Sequence, residues 1–141
     1  MTNRDVRNQL HSIASANDFA TSSVELTEAW RATGVGVEVI DTVLQFMEEY
    51  PALDYGVPGP LVHFVEEYSC KGYEERLVKS VNKKPTMLTV WMLNRLINGT
   101  QDPRKRHFLI STMSKAIQNP DIDHQTLERV NGFLEHLKSE L

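Results

Sequence analysis

The 141-residue sequence predicts an all-α protein. Three observations carry that reading. Apolar residues recur at i, i+3, i+4 and i+7 in one segment after another. Proline and glycine fall mostly at the ends of these segments. No stretch shows sustained period-2 alternation bounded by hairpin turns, so no sheet is expected.

Val6, Leu10, Ile13 and Ala14 mark a first short amphipathic helix, ended by the Asn17-Asp18 turn signal. Ser22 and Glu25 have the spacing of a capping box, opening a second helix that carries Leu26, Ala29 and Trp30 and ends at Gly34. Val35 to Tyr50 predicts a third, with Val39, Ile40, Val43, Leu44, Phe46, Met47 and Tyr50 inward and Glu38, Asp41, Thr42, Gln45 and Glu49 as its polar stripe. Pro51 stops it. A loop over 52–59 leads to Pro60, which opens a helix with Leu61, Phe64, Val65 and Tyr68 as its core stripe and His63, Glu66 and Glu67 off it. Gly72 breaks the chain again, and residues 73–83 predict a modest helix with Leu77, Val78 and Val81 inward.

Pro85 to Asn98 is the segment placed at the centre of the molecule. Leu88, Val90, Met92, Leu93, Leu96 and Ile97 cover more than half of its helical wheel, which requires neighbours on several sides. Trp91, Asn94, Arg95 and Asn98 share the remaining stripe. Tryptophan beside arginine and two amides is the composition of a binding hot spot. The competing reading has Trp91 packed inward, with the amides satisfying carbonyls of a neighbouring loop. After Gly99, Asp102 caps and Pro103 opens a helix carrying Phe108, Leu109, Ile110, Met113, Ala116 and Ile117, which ends before Pro120. Asp123 caps the last helix, with Leu127, Val130, Leu134, Leu137 and Leu141 on one stripe. About eight helices in four hairpins, repeating at roughly 30 to 40 residues, predict a single domain over 1–141. Its architecture would be a HEAT-like α-solenoid of stacked antiparallel hairpins, or a compact helical bundle.

Fifteen basic and 19 acidic residues give a formal charge of −4, which weighs against nucleic-acid binding and for a basic partner. The lone Cys70 excludes an intramolecular disulfide and fits a reducing compartment. The polar, acid-containing N-terminus is not expected to be a signal peptide, and no apolar run approaches the ~20 residues of a membrane span. A cytoplasmic protein is expected.

Catalytic chemistry finds little support. His11, His63, His107, His124 and His136 are scattered, and none pairs with another at the i, i+3 or i+4 spacing of a helical metal site. Cys70 sits at an expected helix C-terminus, the wrong end of the dipole for an activated nucleophile, so its role reads as structural. Gly34-Val35-Gly36 lacks the lysine and the further glycines of a phosphate loop. No cofactor, metal or enzymatic activity is expected. Two charge features remain: the run Arg104-Lys105-Arg106-His107, either a solvated helix face or a phosphate contact, and the pairs Glu48-Glu49, Glu66-Glu67 and Glu74-Glu75. With Asp54 and Tyr55 in the intervening loop, those pairs could form an acidic, aromatic-decorated edge that steers a basic protein, or could be scattered solvation.

Leu53-Asp54-Tyr55-Gly56-Val57-Pro58-Gly59-Pro60-Leu61-Val62-His63-Phe64-Val65-Glu66 and Lys84-Pro85-Thr86-Met87-Leu88-Thr89-Val90-Trp91-Met92-Leu93-Asn94-Arg95 resemble stretches of small helical bacterial immunity proteins, which accompany polymorphic and contact-dependent growth-inhibition toxins. The likeness extends in rhythm from Glu28 to Leu134. It implies a cytoplasmic protein that binds the toxin domain of its own system, often a nuclease, and blocks it, as a monomer in a one-to-one complex. No binding residues come with the resemblance. From the residues themselves, the expected partner-binding set is Asp54, Tyr55, Glu66 and Glu67 at the loop edge, with Trp91, Asn94 and Arg95 on the central helix. The alternatives are a HEAT-like nucleic-acid binder using Lys83, Lys84, Arg104, Lys105 and Arg106, and a general adaptor module.

Overall fold

The computed structural model describes residues 2–139, and all regular structure among them is helical. The helices are α1 (Asn3–Ile13), α2 (Phe19–Thr33), α3 (Val39–Glu49), α4 (Pro60–Glu66), α5 (Tyr73–Lys83), α6 (Met87–Gly99), α7 (Pro103–Ala116) and α8 (His124–Ser139). None is long and apolar enough to cross a membrane. The chain divides into two compact units, Met1–Arg76 and Leu77–Leu141, and the boundary falls inside α5.

In the first unit α1 packs on α3 and α2 on α4, so two consecutive hairpins lie layer on layer as stacked helix pairs do. Thr2 and Asp5 form a reciprocal capping box that starts α1, which buries Val6 and Leu10. α2 starts earlier than its Ser22-Glu25 spacing predicts. Asp18 is the N-cap, with its carboxylate accepting from the Thr21 amide and hydroxyl. A charged acceptor that satisfies an orphan amide in this way outcompetes a capping box one turn on. Gly34, at φ +70°, closes α2 in the left-handed conformation expected of it.

The buried face of α2 is Phe19, Ser23, Thr27 and Trp30, while Ala29, expected inside, is exposed. Ser23 and Thr27 on that face are small, and each hydroxyl returns its hydrogen bond to its own helix, to the carbonyls of Ala20 and Val24. Trp30 is fully buried edge-on to Phe64, and its indole N–H donates to Gln9 Oε1 at 2.8 Å. α3 begins at Val39 rather than Val35, because residues 35–36 are irregular and 37–38 form a turn. Its inward residues Val39, Ile40, Val43, Leu44, Phe46 and Met47 are buried as the periodicity requires. Tyr68, expected on the α4 stripe, lies beyond that helix and donates to the Val35 carbonyl at 3.2 Å.

In the second unit α6, α7 and α8 each pack on the other two, which is a three-helix arrangement rather than a repeated hairpin. Pro85 does not open α6. Thr86 is the N-cap, in a reciprocal pair with Thr89, and both are buried. Val90, Met92, Leu93 and Ile97 carry the core from α6, Leu109, Met113 and Ala116 from α7, and Val130 and Leu137 from α8. Asp102 and Asp123 cap α7 and α8 as their positions predict. Phe108 and Ile117, expected inward, are 54% and 36% exposed, because Leu109, Thr112, Met113 and Ala116 fill the inward face of α7. Leu141, assigned to the α8 stripe, lies outside the described residues.

Candidate functional site

The expected binding residues fall into two groups. Asp54, Tyr55, Glu66 and Glu67 belong to the first unit, and Trp91, Asn94 and Arg95 to the second.

The loop between α3 and α4 is built around Tyr55. Its side chain is only 3% exposed, its ring meets Phe19 edge-on at 5.3 Å, and its hydroxyl donates to the Tyr50 carbonyl at 2.8 Å. Burial pushes its phenol above the ordinary value of 10. Tyr55 is therefore a core anchor, contrary to its expected place on an exposed edge. A loop aromatic with other aromatics within reach gains more from burial than from solvent contact. Asp54 is exposed, and its Oδ1 accepts from the Gly56 amide at 3.0 Å, closing a local turn. Gly59 sits at φ +87°, and any side chain there would collide with the Tyr55 carbonyl oxygen. Within this constrained loop Val57 stands at 90% exposure.

The two adjacent glutamates differ. Glu67 is engaged by Arg31 through Nε and Nη2, the latter 2.6 Å from Oε2, and this hydrogen bonding holds the guanidinium more firmly protonated. The guanidinium also lies 5.5 Å from the Phe64 ring centroid. Glu66 is half-buried, with His63 Nδ1 4.0 Å away. Arg76 pairs with Asp41, and Arg7 and His11 with Glu49. Exposed pairs of this kind contribute about 0–1 kcal/mol each. Their main consequence is that Glu67, Glu49 and Asp41 spend part of their charge within the chain, as Glu28 does more weakly on Arg31, whereas Glu25, Asp54 and Glu75 are exposed carboxylates.

On α6, Trp91 and Asn94 are half-buried and Arg95 and Asn98 exposed, so the predicted polar stripe is the wetter face of that helix. The Arg95 guanidinium lies over the Trp91 ring, 5.2 Å from its centroid. Residue-by-residue reading of the sequence passed over two further features. Phe108 stands exposed on α7 between Arg104, one turn before, and Ser111 and Lys115, beyond it. The charges are also segregated. The first unit holds 5 basic and 13 acidic residues, a formal −8, and the second holds 10 basic and 6 acidic, a formal +4. Summing charge by halves would have revealed this, whereas the chain total of −4 conceals it.

Among the described residues no three His, Cys, Asp or Glu side chains converge as a metal site. Cys70 is exposed at φ +64°, with its amide donating to the Glu74 carboxylate, and it follows α4 in a turn. No family model, no curated protein and no solved structure matches this chain.

Proposed function

We propose that this chain is an immunity protein: a cytoplasmic, non-enzymatic inhibitor that binds the toxin domain of its own bacterial system one-to-one and neutralises it by occlusion. The charge of the first unit carries the reading. A formal −8 over 76 residues is far from the balance of an inert surface, and it attracts a basic protein over distances of about a Debye length. A toxin domain that acts on nucleic acid must present a basic surface to phosphate, and an acidic helical unit is complementary to such a surface. The resemblance of the two quoted stretches to helical immunity proteins points the same way.

The experiment is co-expression with the C-terminal domain of the protein encoded immediately upstream. Growth rescue, followed by co-elution of a one-to-one complex on size exclusion, is the expected result. If the partner domain is expressed and toxic alone, yet is neither rescued nor bound, this pairing is wrong.

A second reading has one specific observation in its favour: the +4 unit and its exposed Phe108 between basic residues, which suits stacking on single-stranded nucleic acid. Its signature would be binding of a short single-stranded oligonucleotide that weakens steeply with salt and is lost in Phe108→Ser.

A further inference from the structure

Val57 is the most exposed large apolar side chain among the described residues. An exposed valine on a floppy loop would mean little. Here the Tyr55 ring is set edge-on against the stacked pair Phe19 and Phe46, the Asp54 carboxylate closes a turn onto the Gly56 amide, and Gly59 passes too close to the Tyr55 carbonyl to tolerate a side chain. The loop is thus tied to the core at its base and presents its tip with little conformational freedom to lose on binding.

The loop also lies against the first turn of α2, where a Cβ on Gly56 would sit 3.7 Å from Ala20 Cβ. One helical turn on from Ala20 is Val24, itself 40% exposed, and another turn on is Glu28. The loop backbone at Gly56 thus adjoins Ala20, Val24 follows Ala20 one turn on along α2, and the same two segments carry the exposed carboxylates of Asp54, Glu25 and Glu28. An apolar centre with a charged rim is the anatomy of a protein-binding patch, and a rim of one sign selects a partner of the other.

We propose that the 54–59 loop and the start of α2 form the docking surface of this inhibitor, with Val57 inserting into an apolar cleft on the toxin domain and Asp54, Glu25 and Glu28 meeting basic residues around it. This rests on the immunity reading and names the site through which it acts. Trp91 and Arg95 are then not the primary anchor.

The test uses the full chain and the upstream-encoded toxin domain, with affinity measured by titration calorimetry. Val57→Asp should weaken binding at least about tenfold, mostly through faster dissociation. Its thermal midpoint should match that of the unsubstituted chain, since the side chain it replaces is 90% exposed. Val57→Ile should retain affinity, and Phe108→Ser in the second unit should leave it unchanged. Tight binding by folded Val57→Asp overturns the docking surface while leaving the immunity reading intact. A loss confined to Phe108→Ser overturns it in favour of α7. No binding by the unsubstituted chain overturns the immunity reading and this surface with it.

Discussion

Tyr55 illustrates how one residue can serve as scaffold and not as contact. Its phenol must stay neutral where it is buried, whereas in the unfolded chain it ionises near the ordinary value of 10. A folded-state pKa raised above the unfolded one contributes stability that is intact below pH 10 and is lost as pH rises beyond it. Tyr68, shifted the same way mainly by burial, adds to that decline. Tyr55→Phe should cost about 1 kcal/mol at neutral pH, from the lost bond to the Tyr50 carbonyl. It should also flatten the fall in stability between pH 10 and higher pH, and urea unfolding at pH 7 and at alkaline pH reads both effects. Opposite logic applies to Asp5 and Asp18. Hydrogen bonds at their caps hold both carboxyls below 3.8: for Asp5 the Thr2 amide foremost, then the Thr2 hydroxyl, and for Asp18 the Thr21 hydroxyl first, then its amide. Their contribution is present above that value and is lost as pH falls through the depressed one.

Among the elements, α2 shows most clearly how local pattern and tertiary demand diverge. Its polar Ser23 and Thr27 would be assigned to solvent by hydropathy, yet both are buried against the first unit's core. What counts there is size, because small side chains on a buried face leave room for the neighbouring helices, and their hydroxyls are already satisfied within the helix. Ser23→Leu should therefore destabilise by about 1–3 kcal/mol through overpacking, while Thr27→Val stays within about 1 kcal/mol of neutral, as denaturant midpoints would report. At α6 the reciprocal Thr86–Thr89 cap is buried, so Thr86→Ala should cost about 1–2 kcal/mol, read as a lower thermal midpoint. The cap was legible in neither hydropathy nor composition. Pro85 next to it is the louder signal, but it precedes the N-cap and is not the first helical residue.

Over the whole molecule the decisive quantity is the distribution of charge, −8 in one unit and +4 in the other. If the acidic unit steers a basic toxin domain, reversing Glu25 and Glu28 together to lysine should slow association by about tenfold at low ionic strength. That difference should shrink at high salt, because screening removes the steering but not the contact. Stopped-flow association across a salt series measures it.

The sequence by itself determined the helical class, the places where most helices begin and end, and most of the apolar core. Those follow from 3.6-residue periodicity and from the backbone chemistry of Asp, Pro and Gly, which act over a few neighbours. Asp102, Pro103, Gly34 and Pro60 all stand where such local rules put them. Only the tertiary structure decided that Tyr55 is buried, that Phe108 is left outside, and that Val57 is held out on a fixed loop. Each of those outcomes depends on which side chains from distant parts of the chain arrive to cover a given face. An aromatic residue in a loop, or at the edge of a helical stripe, has the same local signature whether or not that cover arrives.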